Sequence, residues 1–516
     1  MVIRLLVAVI ALLFIVYVLL REKTHDKQLC IISYWYVALL FSLYPLVFSP
    51  IQGYYAMGIF KFRIWAAMTA CLILYSLFIF ISDKRTFSIS SKLDIAMIVF
   101  ASLVTISFLL SGNKLSSLTG FSGWYTGLLF LYGLVLVYFI ISRNDTIDNR
   151  FIWIIEISAI IIFAIGTLHR FYIDPIGIMK TLSPNECIRF LSTIGQATWY
   201  SSYLCLVFPI GLYAFISFDD KRNMIVSTIF LITSACTLVT QNSDSAYISM
   251  FVIIVSFLVY AMYKSGKCLM RLGISFMIMS CSIILIGLIE RFGLIPIVSL
   301  DVLSINLATG IIPVIGVVTG LILVFLNVDP KIYEKLHSKL PIICTTTLII
   351  FIAIAIIVGI KLISISANDV YFETSKDWGN GRGLIWLRTL QMYKDLPLVN
   401  KLLGVGPGCF NDHISNYTEL ILANAHSEWL TAIIEYGIIG GFSYLAIFII
   451  ALIEGIKMIK KEAHADFSIN MGIIVFACTL GYIVHNAFNY QQCISTPMII
   501  TLIGIAHQSF LNMHPS

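Results

Sequence analysis

The sequence predicts an all-α, polytopic membrane protein, and three observations carry that expectation. Of its 516 residues, 59% are hydrophobic and only 12% charged, with a mean hydropathy of +0.95, whereas soluble domains carry about 25% charged residues. Apolar runs of about 18 residues or more recur along the chain, the length a helix needs to cross about 30 Å of hydrocarbon with its backbone hydrogen bonds satisfied internally. Small clusters of Lys and Arg fall in alternate connections between those runs, as the positive-inside bias requires.

Bounding each run by its polar flanks places spans near 2–20, 29–49, 64–82, 95–111, 124–142 and 151–168. A second group lies near 198–217, 224–241, 246–263, 272–289, 308–326 and 342–360, and a third near 429–456, 469–488 and 497–510. Some of these are short enough to be re-entrant, so the expectation is about 12–15 crossings. The first run ends at Arg21, Glu22 and Lys23 without a small-residue cleavage site, which reads as a retained span and not a removable signal peptide. Residues 1–516 are expected to form a single helical membrane domain, with no soluble catalytic domain and no internal repeat. Its one large polar interruption, 361–428, is expected to hold short helices.

The richer basic connections carry Arg21/Lys23/Lys27, Lys84/Arg85/Lys92, Arg143/Arg150, Lys221/Arg222, Lys264/Lys267/Arg271, Lys331/Lys335/Lys339 and Lys457/Lys460/Lys461. These should be cytoplasmic, which puts 169–197 and 361–428 outside. The net charge of +6 is dispersed between spans and does not suggest a nucleic-acid partner. Eleven cysteines, with no Cys-x-x-Cys pair, read as small buried hydrophobes. Cys187 and Cys409, both in expected outer segments, are the one pair that a disulfide would suit.

The polar interruption brings residues with chemistry in a fixed order. A cation and an indole come first, Arg382 and Trp386, followed by Pro397 and a glycine-rich turn through Gly404, Gly406 and Gly408. His426 and Ser427 then open the next apolar helix, and Gly437 and Gly440 follow after nine and two intervening residues. This ordered set resembles the O-antigen ligase and O-antigen polymerase superfamily of membrane glycosyltransferases. The ligase signature of His, a small polar residue, nine positions, Gly, two positions and Gly is complete in His426, Ser427, Gly437 and Gly440. The resemblance implies a helical membrane fold of the GT-C type in a bacterial plasma membrane. It also implies an undecaprenyl (polyprenyl) diphosphate-linked glycan as donor, a glycan, lipid or protein hydroxyl as acceptor, an active site on the outer side, and no cofactor. Such an enzyme serves polysaccharide and cell-envelope biosynthesis. A repeat-unit polymerase shares these motifs, and a polysaccharide flippase or other transporter shares the span count. A transporter, however, places charges near the bilayer midplane, and these spans read as nearly charge-free.

That chemistry requires a charge to hold the leaving pyrophosphate and a base for the acceptor hydroxyl. Arg382 suits the first role because guanidinium pairs with phosphate oxygens and stays charged; an interfacial arginine snorkelling to headgroups beside Trp386 would look the same. Arg388 lies six residues on, off that helical face, and is a second clamp at most. His426 suits the second role, since the positive end of a helix dipole favours a neutral imidazole there; a helix-opening polar residue is the bland alternative. Relatives commonly carry Ser-Arg where this chain has Ser243-Asp244, so a second cation must come from elsewhere, with Lys180, Arg189 and Arg170 as options. Glu428 suits orienting the base or binding sugar hydroxyls. His485, Asn486, Asn489, Tyr490, Gln491 and Gln492 suit sugar recognition or a polar turn, and Gln196 stands where the family places a small-residue and Asn turn. Gly404 and Gly406 either let backbone amides approach a phosphate or make a tight turn. No Asp-x-Asp pair occurs in the outer segments, so no catalytic metal is expected; Asp369, Glu373 and Asp377 are the residues to suspect should metal dependence be found.

Overall fold

A computed structural model of the chain describes residues 24–49, 53–84, 91–144, 149–180, 182–326, 381–462 and 469–513, with the single positions 22, 89 and 339. The expected spans near 2–20 and 342–360 lie outside these residues. The others all appear as helices: α1 His25–Leu46, α2 Met57–Ser82, α3 Lys92–Leu110, α5 Leu128–Ile141, α6 Asn149–Arg170, α8 Ala197–Ser217, α9 Lys221–Thr240, α10 Ser245–Lys264, α11 Gly266–Phe292, the pair α12 Val302–Thr309 and α13 Ile312–Leu326, α17 Glu428–Glu462, α18 Met471–Asn486 and α19 Ser495–Met513. Short helices fill the connections: α4 Lys114–Thr119, α7 Pro184–Arg189, α14 Arg382–Asp395, α15 Leu398–Leu403 and α16 Phe410–Ile414. Two two-residue strands, β1 Phe190–Leu191 and β2 Gly195–Gln196, pair antiparallel.

Among the described residues, nine helices are long and apolar enough to cross a bilayer, and α12 with α13 makes a tenth if that bent pair is one span. The chain is an all-α, multi-pass membrane protein. The pair departs from the single span expected at 308–326. Asp301 accepts the Ser304 amide at 2.7 Å and starts a helix early, and the axis then turns by 47° at the break before Ile312. The span expected from 124 begins only at Leu128, because Gly120, Gly123 and Tyr125 all take positive φ and hold the preceding segment as a loop.

Helix α8 is the hub, with 94% of its apolar window buried inside the protein and packed against α6, α9, α10 and α18. The helices alternate in direction, so one end of the bundle gathers 47–56, 111–127, 171–196, 241–244, 293–301, 381–427 and 487–494. The opposite end gathers the basic connections, where Arg271 and Lys267 both reach Asp219 at 2.6 Å. Near that basic end the helices are not charge-free as expected. Asp94 accepts from Arg143 at 2.7 Å and from Tyr138 at 2.9 Å, and His507 meets Glu454 at 2.8 Å. These groups bridge α3, α5, α17 and α19, and mutual pairing is what makes their burial tolerable.

Candidate active site

Helices α14, α15 and α16 form a cap with its own core of Ile385, Met392, Val405, Phe410, Ile414 and Ile434. The last of these comes from α17, so the cap is fastened to the membrane helix that follows it. Helix α17 runs for 35 residues, which at about 1.5 Å each exceeds the hydrocarbon thickness. The excess is set off by a break at Gly437, where φ is 73° and ψ 171°, a conformation essentially restricted to glycine. The cap docks into this break. The Val405 amide donates to the Ile434 carbonyl at 3.1 Å and the Gly406 amide to the Glu435 carbonyl at 3.0 Å. A Cβ on Gly437 would lie 2.2 Å from the Leu402 carbonyl oxygen, and one on Gly404 2.2 Å from the Glu435 carbonyl oxygen. The glycines of the turn and of the helix are therefore two halves of one backbone contact.

That contact fixes the stretch carrying His426. The Trp386 indole donates to the Ala425 carbonyl at 2.9 Å, and its ring lies 6.0 Å from that of Phe488, which brings the first turn of α14, headed by Arg382, against the residue before His426. His426 itself has φ of 51°, unusual for a side-chain-bearing residue. Its amide donates to Asn424 Oδ1 at 3.0 Å, and Ser427 caps α17 by accepting the Leu430 amide. The imidazole is half-buried and meets the Tyr490 ring edge-on at 5.3 Å. Burial first, and the Arg382 guanidinium second, push its pKa down to about 4. The ring is neutral at pH 7, able to accept a proton.

Arg382 is desolvated, which lowers its pKa, while Tyr490 and Asp244 act in the opposite direction. Asp244 is raised by burial and by Asp301 and drawn back by Arg382. Asp244 is thus a carboxylate within electrostatic reach of Arg382. Its turn is anchored on both sides: Ser243 meets Ser201 at 3.2 Å, and Ser245 accepts from Asn489 at 2.8 Å.

Several expected substrate contacts are instead committed within the protein. Glu428 is buried and accepts from Tyr444 at 2.6 Å, from Tyr482 at 2.9 Å and from Asn486. His485 and Asn486 are 1% and 0% exposed. His485 Nδ1 meets Asn486 Oδ1 at 3.0 Å and its Nε2 meets Ser201 at 2.9 Å. Gln196 accepts from the Tyr490 hydroxyl at 2.5 Å. The amide of Gly404 goes to Asn400 and that of Gly406 to Glu435, while the Gly408 and Phe410 amides face the Glu435 carboxylate. In this conformation the turn serves docking and offers no free amide at these positions to a phosphate. Arg388 donates to Gln391 at 2.9 Å, one turn along α14. Lys180 and Arg189 are exposed in the 171–196 segment. Arg170, weighed as a replacement cation, is buried with its guanidinium donating to the Thr240 and Cys187 carbonyls at 2.5 and 2.6 Å. Cys187 and Cys409 are free thiols in separate cores, so the disulfide considered for them is not formed.

Two features were not read from the sequence. Tyr444 and Tyr482 sit deep in apolar runs and gave no sign that they hold Glu428. Trp124 stands at the start of the span expected near 124–142, yet it belongs to the 120–127 loop, where its ring packs 4.6 Å from Tyr490 and so completes the wall behind His426. Among the described residues no three His, Cys, Asp or Glu side chains converge to hold a metal; Asp369, Glu373 and Asp377 lie outside those residues.

No curated protein matches the chain. A family model described as O-antigen ligase matches residues 296–445, a segment that contains α12, α13, the cap, His426 and the break at Gly437. Over that segment the chain is similar to the O-antigen ligase family.

Proposed function

We propose that the protein transfers a glycan from a polyprenyl diphosphate carrier to an acceptor hydroxyl on the outer side of a bacterial plasma membrane. What supports this reading is that Arg382, a permanent cation, lies within electrostatic reach of His426, a neutral imidazole, while Trp386 of the same helix holds the Ala425 carbonyl. The acceptor oxygen attacks the anomeric carbon and the bond from that carbon to the phosphate oxygen breaks. The acceptor proton passes to His426 and the negative charge departs on the pyrophosphate, which Arg382 holds. Direct displacement inverts the anomeric centre.

The acidic face of Asp244 requires the diphosphate to approach from the side of Arg382 away from that carboxylate. The positive-inside bias supports an outward cap, since the basic connections gather at the opposite end of the bundle. Scaffold residues keep the two groups in place: Glu428, His485 and Asn486 tie α17 to α18, and Gln196 fixes the Tyr490 ring against the imidazole. Lys180 and Arg189, both exposed, would face the rest of the anionic donor.

The test is to replace Arg382 and His426 by Ala one at a time. Each variant is expected to insert normally and to accumulate lipid-linked glycan. Normal polymer output from both rules the mechanism out, and the length of the transferred chain distinguishes ligation from polymerisation.

A further inference from the structure

Helix α15, Leu398–Leu403, turns an apolar side away from the protein. Leu398, Val399 and Leu402 are 69%, 52% and 39% exposed. Leu402 lies four residues after the first and three after the second, so all three share one side of the helix. A patch of this kind marks a partner or a membrane, and the depth of α15 in the bundle decides between them.

The Ser107 hydroxyl of α3 donates to the Glu435 carbonyl at 2.5 Å. Gly404, the residue after α15, closes against that same oxygen. The end of α15 therefore stands level with Ser107, three residues short of the end of α3. With 19 residues, α3 is about 28 Å long at about 1.5 Å each, no longer than the hydrocarbon it crosses, which is about 30 Å. Its last turn is within reach of acyl chains, and so is α15.

The surfaces beside α15 already face lipid. It packs against α3 and α17, where Leu109 of α3 and Ile439 and Phe442 of α17 are exposed within membrane-spanning helices. The apolar side of α15 continues that surface past the break at Gly437. Two lysines mark where headgroups begin. Lys114, just beyond α3, donates to the Phe108, Leu109 and Ser111 carbonyls at 2.9, 2.6 and 2.8 Å, and Lys401 of α15 donates to the Lys394 carbonyl at 2.7 Å. Ammonium groups on the rim of an apolar patch are the arrangement of an interfacial anchor.

We propose that α15 is such an anchor, with Leu398, Val399 and Leu402 seated in the acyl chains of the leaflet at the cap's end of the bundle. The partner is bulk phospholipid. The bilayer then holds the height of the cap, and with it the His426 turn, alongside the backbone contact at Gly437. The inference does not depend on the glycosyl-transfer reading.

The experiment uses the full chain in nanodiscs of phosphatidylethanolamine and phosphatidylglycerol. Photoreactive p-benzoylphenylalanine is placed instead of Val399, instead of Phe442 as the lipid-facing reference, or instead of Asn416, a polar position between α16 and α17. All three positions are exposed, so the replacements leave the core untouched. After irradiation, intact mass should shift by one phospholipid for the replacements at Val399 and Phe442, and that adduct should be lost at Asn416. No phospholipid adduct at Val399, equal adducts at all three positions, or a cross-link from Val399 to residues 327–380 or to a second copy of the chain overturns the anchor.

Discussion

At His426 the chemistry depends on which form of the ring is present at neutral pH. With a pKa near 4, the imidazole is unprotonated across the physiological range and becomes charged only as pH falls through that value. The acid limb of kcat/KM is accordingly expected near pH 4 and not near 6.5, and an acid limb at the higher value contradicts the environment described. Arg382→Gln removes the second cause of the depression, so histidine NMR should show the His426 pKa moving upward in that variant. His426→Ala should lower turnover by about 10²–10⁴-fold, the range for loss of a positioned base. Asp244 gives a prediction of opposite sign. Its carboxylate opposes an incoming diphosphate, so Asp244→Asn should lower the donor KM by about twofold to fivefold, the scale of an exposed charge pair. A raised KM instead means that Asp244 helps to hold the donor. The ordered Arg, Gly and His residues were legible in the sequence because their motif is local. The facing of Asp244 and Arg382 was not, because nothing in the spacing of residues so far apart says that their loops meet.

The elements explain why the signature contains glycines. Gly437 breaks α17 and Gly404 closes against the break, so both act through backbone proximity and not through a ligand. Gly437→Ala should destabilise the protein by about 1–3 kcal/mol, the cost of an unfavourable backbone conformation or an overpacked contact. A thermal-unfolding measurement should record a fall in Tm together with a loss of activity; an unchanged Tm means that the cap does not depend on this contact. The buried carboxylate of Glu428 gives a second test at this scale. Glu428→Gln retains a partner for Tyr444, Tyr482 and Asn486, whereas Glu428→Leu takes the acceptor from the Tyr444 hydroxyl and the Asn486 amide, at about 1–3 kcal/mol each, and leaves Tyr482 with Thr496 alone. The leucine variant should therefore be far the less stable in the same assay. Sequence periodicity located α17 and α18 but not this bond network, since a tyrosine in an apolar run reads as packing until its hydroxyl is seen to have a partner.

At the scale of the whole molecule, hydropathy made the spans legible and left the ends of the bundle obscure. The expected crossings within the described residues are helical because lipid leaves the backbone no other partner; edges moved, as at Leu128, and one expected span became the bent pair that Asp301 opens. What hydropathy cannot express is that the connections at one end fold together, with α14, the 120–127 loop and Tyr490 packed around the His426 turn. It also could not show the cluster near the other end, where buried Asp94, Glu454 and His507 gather and Arg143 reaches Asp94 from the helix end. The most direct measurement is transfer by purified protein supplied with a synthetic polyprenyl diphosphate glycan and an acceptor, comparing the wild type with Arg382→Ala, His426→Ala and the double variant. If guanidinium and imidazole serve one reaction, each single variant loses most of the new glycosidic bond formation and the double variant loses little more. Full transfer by either single variant, or losses that simply multiply, contradicts a shared site.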